Sequence, residues 1–463
     1  MSLFGFRLLG GWLYFYFGIW DHKILGNLEL DFINILTGEP YETIVFAGEN
    51  GTGKSTILEE LSTFLNLGSF EFFEYIEYIS NEMTYKAIKP TDGTTYKTFF
   101  DIVNENGQIV KIRSDKNNNR QSIDNNTNDI RYYGCVFSRA RSDYKTKKIT
   151  TTATNTVDIE KYDMDTNDDF TSLKQLLVDV SNQDNSDYME INKTLGANPK
   201  SWDEFYPTSK VFRFKNSFDN FFDDLKYNKV TDVENEKTIL FDKNNSSIPV
   251  DFLSTGEKQI VFRGIYLLKN SNILNGSAIM IDEPELSMHP KWQQKILKYY
   301  KNLFTQNEQQ NAQLFFATHS EYVLKEALSN KSKNIVITLK EDNGVIQTKK
   351  IDSPSVLPSI TSAETSYLAF DVVSNDYHIE LYGWLQDKES KNSIKACDDF
   401  IKANVNYNIS KHRKISSFNI TQYDSICTYI RNAIHHPDSG NTFTEEELRC
   451  SIELLRRIHI IKE

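Results

Sequence analysis

The chain has 463 residues, 39% hydrophobic and 25% charged, with a formal net charge of −12. That length exceeds one compact domain, the composition is that of a globular protein, and the acidic balance argues against a generally basic nucleic-acid binder while leaving room for a local basic groove. The four cysteines (Cys135, Cys397, Cys427 and Cys450) lack C-x-x-C spacing, so they read as reduced thiols of a cytoplasmic protein and not as a zinc site.

Residues 3–20 are apolar enough to raise a membrane segment. Arg7, four glycines and the stop at Asp21-His22-Lys23 predict buried strands instead, with no membrane partner. Strands are expected over 6–17 and 23–32, the second because Leu28, Leu30 and Phe32 alternate with Glu29 and Asp31. The apolar run 43–47 then leads into Gly48-Glu49-Asn50-Gly51-Thr52-Gly53-Lys54-Ser55-Thr56, and a helical segment follows. Strand, glycine loop and helix in that order predict a phosphate-binding loop. Its backbone N–H groups and the helix N-terminus would surround a polyphosphate, Lys54 would reach the β- and γ-phosphates, and Ser55 would offer a hydroxyl to Mg²⁺.

About 200 residues then intervene before the next motif, far more than an ordinary loop. Strand-like runs at 97–103 and 108–112 precede an Asn-rich tract, 115–129, that reads as a mobile loop. Residues 131–137 read as a core strand ending in Ser138-Arg139-Ala140-Arg141, whose arginines face either phosphate, a partner or solvent. Helices are expected at 173–180 and 218–225, and no sustained heptad predicts a coiled-coil arm.

The second motif is Leu253-Ser254-Thr255-Gly256-Glu257-Lys258-Gln259, before a helix-compatible run at 260–268. The third, 277–285, is a buried-strand pattern ending in Asp282-Glu283-Pro284-Glu285, with its carboxylates where α/β sheets place ligands. The fourth, 313–320, is another buried strand ending in Thr318-His319-Ser320.

These four motifs in this order resemble the ATP-binding-cassette (ABC) ATPase family over about residues 1–350. The resemblance implies an α/β ABC-type ATPase head, with a long mixed insertion between the phosphate loop and the signature motif. It implies ATP and Mg²⁺ as cofactors. ATP would contact Gly48, Asn50, Gly51, Gly53, Lys54, Ser55 and Thr56, while Ser55 and Asp282 would hold Mg²⁺. Glu283 would polarise the attacking water, and His319 would sense the γ-phosphate. Ser254, Gly256 and Glu257 would complete the site of another copy, so a head-to-tail dimer or higher homo-oligomer follows. The segment Glu285-Leu286-Ser287-Met288-His289-Pro290 departs from transporter domains and resembles the soluble OLD, RecF and SMC-like group, including anti-phage defence ATPases such as the Septu ATPase subunit. A Q-loop glutamine is not assignable.

The expected domains are 1–66 and 236–357 for the head, 67–235 for a partly mobile insertion, and 358–463 for a mostly helical C-terminal domain bounded near Pro358. Helices are expected at 377–386, 393–403 and 445–462. Between them, Arg431 and His436 resemble the R-x4-6-H signature of HEPN domains, many of which are metal-independent ribonucleases. The plainer alternative is that His435 and His436 satisfy a helix end and Arg431 pairs with a carboxylate. Three functions follow: a defence ATPase controlling a nuclease or toxin encoded nearby; an ATPase-regulated ribonuclease acting through Arg431 and His436; and a DNA-repair ATPase that binds DNA.

Overall fold

The computed structural model describes residues 16–460 apart from 36, 82, 307, 352–355 and 419–420. The chain divides into two contact units, Met1–Lys349 and Lys350–Glu463, each described by itself.

The first unit begins with β1 (Tyr16–His22) and β2 (Gly26–Asp31), joined by a turn at 23–25. Leu28, Leu30 and Phe32 are buried while Glu29 is exposed, as the alternation predicts. Residues 6–15 of the first expected strand lie outside the described residues. Next come β3 (Thr43–Gly48), buried throughout, and α1 (Lys54–Leu65). The strands β4 (Phe73–Ser80), β5 (Met83–Ile88), β6 (Phe100–Asn104) and β7 (Ile109–Ile112) precede a short helix, α2 (Arg120–Asp124). After them come β8 (Cys135–Ser138), β9 (Tyr162–Met164), the long α3 (Thr171–Leu195), α4 (Trp202–Phe205) and α5 (Phe212–Phe221). A meander follows: β10 (Leu225–Val233), β11 (Glu236–Lys243) and β12 (Ser246–Pro249). The unit continues through α6 (Thr255–Leu268), β13 (Ala278–Asp282) and α7 (Pro290–Leu303). It then forms the two-residue strands β14 (Thr305–Gln306) and β15 (Gln309–Gln310), then β16 (Gln313–Thr318), α8 (Glu321–Ser329), β17 (Asn334–Asp342) and β18 (Val345–Lys350).

The main sheet runs β18-β17-β3-β16-β13-β8-β9, and its pairs from β17 to β9 are parallel. Register sets the site. Ala47 on β3 lies opposite Thr318 on β16, and Ala317 lies opposite Asp282 on β13. The glycine loop, His319 and the Asp282-Glu283 pair therefore leave the same end of three adjacent strands. The runs on β3, β13 and β16 are continuous and apolar because neighbouring elements cover both faces.

A second, antiparallel sheet runs β2-β1-β4-β5-β6-β7. One apolar cluster joins Phe17 and Leu30 of this sheet, and Phe32 just past β2, to Leu58, Leu61 and Phe64 of α1 and to Phe46 and Phe315 of the main sheet. The stretch expected as an insertion thus supplies strands to both sheets. Four of them extend β1, and β8 pairs with β13. The expected boundary at 235 falls in the β10–β11 turn, inside a continuous hairpin.

Three expectations need correction. The helix expected at 218–225 lies at Phe212–Phe221, and Leu225 already starts a strand, because a Phe-rich run suits either conformation. The expected strand at 131–137 is broken: Ile130–Tyr133 is a 3₁₀ turn, and Gly134 at φ +85° redirects the chain into β8. The tract 115–129 holds α2, whose Ile123 is buried against Leu67 and Tyr162, and Asp129, which forms a buried ion pair with Arg131.

The second unit comprises α9 (Ser362–Phe370), α10 (Asn375–Lys388), α11 (Ile394–Ala403) and α12 (Ile409–His412). The hairpin β19 (Arg413–Phe418) and β20 (Thr421–Ser425) leads into α13 (Ile426–His435) and α14 (Glu445–Ile460). Ser374, Ser393 and Ser425 each cap a helix through the side chain. Leu381, Leu385, Ile401, Ile430, Ile452 and Leu455 form its core, so the helical periodicity read along 445–462 matches the buried face. Among the described residues no helix is long and apolar enough to cross a membrane.

Candidate nucleotide site

Backbone geometry demands the glycines of the loop. Gly48 has φ +146°, and a β-carbon there would lie 2.2 Å from the Leu339 carbonyl oxygen. Gly53 has φ +89° and is packed against the β1–β2 turn, where a β-carbon would lie 2.3 Å from Leu25 Cδ2. Gly53 is also the N-cap of α1 and supplies no side-chain hydrogen bond, so the first N–H groups of the helix stay open to an anion. Asn50 and Gly51 are exposed at the crest of the loop, and Thr56 is half-buried on α1.

Lys54 is buried and folds back on the loop. Its Nζ donates to the carbonyls of Gly48 (3.0 Å) and Glu49 (2.8 Å). Burial lowers its pKa to about 8, against the opposing pull of Asp282, Glu283 and Glu285. Ser55 Oγ donates to Asp282 Oδ1 at 2.9 Å. Burial raises the Asp282 pKa, partly offset by the Ser55 hydrogen bond. A hydroxyl and a carboxylate oxygen held side by side at the foot of a phosphate loop suit a hard divalent cation.

Glu283 begins the turn after β13 with φ +43°, a rare conformation for a non-glycine residue. Its N–H donates to the Ala317 carbonyl at 2.9 Å, which fixes the turn to β16. His319 Nε2 stands 3.9 Å from Glu283 Oε1, and both side chains keep about a third of their surface exposed. Desolvation, followed by the nearby Lys54 charge, lowers the His319 pKa.

Sequence reasoning did not assign Glu285, Arg263 and Gln259. Glu285 is buried, and its Oε1 accepts from Thr318 Oγ1 (2.6 Å), His319 N (2.9 Å) and Ser320 N (3.0 Å). It thereby ties the turn carrying Glu283 to the turn carrying His319. His289 caps α7 and Pro290 occupies its first turn, which gives the E-x-S-x-H-P segment a structural reason. Arg263 on α6 is 2% exposed and reaches backbone carbonyls of Asp282 (3.0 Å), Glu283 (3.2 Å) and Arg139 (2.6 Å). Gln259 donates to the Pro284 carbonyl at 3.3 Å. The signal for Arg263 was present: it is one charge inside an otherwise apolar helical run.

The signature residues stand apart from the glycine loop. Ser254 is exposed and caps α6 in a capping box with Glu257. Glu257 has both oxygens engaged, on Lys243 and on Ser254. Gly256 packs against the turn after β13, where a β-carbon would lie 2.8 Å from the Ser287 carbonyl oxygen. Among the described residues, no hydrogen bond joins this segment to 48–56. At the end of β8, Arg139 pairs with Glu59 on α1 and Arg141 with Asp165 and Asp168, so both arginines are held within the chain.

Arg431 and His436 belong to the second unit. Arg431 donates to Asn432 at 3.1 Å and has no carboxylate partner among the described residues, while His436 is the C-cap of α13. The His435 pKa is lowered by desolvation first, then by Arg431 and His436.

A parallel α/β sheet that gathers a glycine loop, a Ser–Asp pair, a Glu and a His at one edge defines a P-loop nucleotide-binding head. A family model described as "AAA domain, putative AbiEii toxin, Type IV TA system" matches residues 44–325, more than half of the chain, and the chain belongs to that family. Over 102 residues it is 39% identical to a retron Vc95 probable ATPase of Vibrio cholerae serotype O1 biovar El Tor, covering 20% of this chain and 19% of that protein. Over 94 residues it is 37% identical to a retron Ec83 probable ATPase of Escherichia coli, covering 18% and 16%. The chain therefore matches less than a fifth of the length of these curated relatives. Solved structures similar to it include an SMC head bound to the C-winged helix domain of ScpA, with 12% identity, 73% of this chain and 98% of that chain covered, and a TM-score of 0.39. An SMC head domain from Thermotoga maritima shows 11% identity, 74% and 100% coverage, and a TM-score of 0.36.

The buried lysine carries a pH prediction. Lys54 keeps its proton below about pH 8 in the nucleotide-free fold, against an ordinary value of 10.5. A triphosphate beside Lys54 would restore the charge, so ATP binding is expected to take up a proton above that pH and its affinity to fall as pH rises through about 8. Calorimetry in buffers of different ionisation enthalpy reads this directly; proton release would be the opposite of the expected sign.

Proposed function

We propose that this chain is the ATP-binding and hydrolysing head of a bacterial anti-phage defence system, which controls a nuclease or toxin effector through ATP-dependent association. The observation that carries the reading is the Ser55–Asp282 hydrogen bond beside Glu283 and His319, at the foot of a loop that holds Lys54. The two similar proteins named as retron probable ATPases support the defence setting.

Lys54 and the open N–H groups of 51–55 bind the phosphates. Ser55 and Asp282 would hold Mg²⁺, which when bound would neutralise phosphate charge. Glu283 orients and polarises the attacking water, and its strained backbone is fixed in place by Ala317 and Arg263. His319 lies on the opposite side of the same gap and senses the γ-phosphate. Ser254, exposed at the start of α6, serves the nucleotide of a second head, so pairing completes two sites.

A second reading gives the second unit its own ribonuclease activity through Arg431 and His436. Among the described residues Arg431 has no carboxylate partner and hydrogen-bonds its neighbour Asn432, which favours it, since a guanidinium not neutralised by a carboxylate can stabilise a phosphorane.

A phage-plating and toxicity assay in bacteria tests both. It compares the chain with its neighbouring genes, the chain alone, and the His436→Ala chain. The expected result is protection that needs a neighbouring gene and ignores the substitution. Toxicity of the chain alone that vanishes in His436→Ala would establish the ribonuclease reading. Absence of protection in every arrangement would contradict a defence role.

A further inference from the structure

Glu283 at φ +43° and Ser287 at φ +61° bracket the turn after β13 with two left-handed residues that are not glycine. Such backbone persists only where neighbouring groups hold it. Two side chains supply that hold. Glu285 gathers the Thr318 hydroxyl and the His319 and Ser320 N–H groups on one oxygen, Oε1, while its Oε2 is buried with no hydrogen-bond partner among the described residues. Gln293, half-buried on α7, bridges the same two turns a second time. Its Nε2 donates to the Met288 carbonyl at 3.0 Å, and its Oε1 accepts from Ser320 Oγ at 2.7 Å. Ser320 is in turn the cap of α8. With three donors converging on a single oxygen, the position of that oxygen orders both turns.

We infer that Glu285 is a positioning residue for ATP hydrolysis, seconded by Gln293: together they lock the turn carrying His319 to the turn carrying Glu283, and so set the 3.9 Å gap across which the two groups face each other. Glu283 and His319 are too far apart to hydrogen-bond, and both are partly exposed, so their relative placement comes from the turns beneath them. Glu285 and Gln293 act through those turns and touch no reacting atom. A misplacement of about 1 Å at a reacting group costs on the order of 100-fold in rate, which makes the lock a determinant of turnover and not of binding. The inference rests on the reading that Glu283 polarises the attacking water and His319 senses the γ-phosphate.

The experiment is steady-state phosphate release by the full chain, with Mg-ATP affinity by calorimetry and denaturation midpoints read on the same samples. The variants are Glu285→Ala, Glu285→Asp, Glu285→Gln, Gln293→Ala and Glu283→Gln. Gln can place its carbonyl oxygen at the Oε1 position and breaks no bond at Oε2, which makes none. Asp keeps the charge but is one methylene short. The expected result is a fall in kcat of about 100-fold for Glu285→Ala and about tenfold for Gln293→Ala, with ATP affinity within about twofold of the unsubstituted chain. Glu285→Gln should recover more turnover than Glu285→Asp. Gln293→Ala removes a half-buried side chain, so it reads the role even where Glu285→Ala fails to fold. Full turnover in both Gln293→Ala and Glu285→Asp, faster turnover by Asp than by Gln, or loss of affinity in step with turnover overturns the positioning role. Where Glu283→Gln loses turnover in the same series, that failure is confined to Glu285 and Gln293. Full turnover by Glu283→Gln, or none by the unsubstituted chain, overturns the reading of Glu283 and the positioning role with it.

Discussion

Replacing Glu283 by Gln lowers ATP turnover by about 10²- to 10⁴-fold, the range lost when a positioned general base is removed. Binding survives, because the phosphate loop, Lys54 and the Ser55–Asp282 pair are untouched. The geometry sets this expectation. Glu283 is the carboxylate of the cluster that stays partly open, whereas Asp282 is occupied by Ser55 and Glu285 by Thr318, His319 and Ser320. Its 3.9 Å separation from His319 is too long for a hydrogen bond and leaves the pair facing a shared gap. Gln keeps the size and backbone but cannot draw a proton from water. Phosphate release under saturating Mg-ATP measures the effect, and turnover within a few-fold of the unsubstituted chain would remove Glu283 from the chemistry.

Replacing Arg263 by Ala destabilises the first unit by about 3 kcal/mol or more, since hydrogen bonds to a charged group are among the strongest and several buried carbonyls lose a donor together. Those carbonyls belong to Asp282, Glu283 and Arg139, so the same change loosens the turn that aims Glu283. Turnover should fall about tenfold while ATP affinity at Lys54 holds, a split that a general loss of fold would not give. Arg263→Lys keeps the charge but lacks the planar fork, and should recover part of the stability and less of the turnover. Chemical denaturation read with turnover at one temperature decides it. A stable Arg263→Ala chain with full turnover would mean that α6 does not hold the site.

The legible part of this protein was the part written in local pattern. The strands β3, β13 and β16 read correctly because a strand covered on both faces is a continuous apolar run, and each leads into a motif of the candidate site. In the second unit the helices expected at 377–386, 393–403 and 445–462 correspond to α10, α11 and α14, the last from its apolar face, whereas α9, α12 and the β19–β20 hairpin were not expected. Pairing over long distance was not. Nothing local says that β4–β7 extend β1, so the stretch after α1 read as an insertion although it builds the second sheet. Side chains that act on distant backbone were equally hidden. Arg263 and Gln259 reach carbonyls about twenty residues away in sequence, and Glu285 reaches across to β16. Their roles exist only once the strands are side by side. The buried Asp129–Arg131 pair lay hidden too, because an Asn-rich tract with few apolar residues looks like solvent-exposed chain.

One ATP is expected to bind per chain, in the glycine loop through Lys54. Calorimetric titration of Mg-ATP into the full chain and into Lys54→Ala tests it most directly. The expected result is one site per chain, lost or weakened at least about 100-fold in the variant, as removal of a buried charge-assisted contact implies. Equal affinity in the two chains would contradict it.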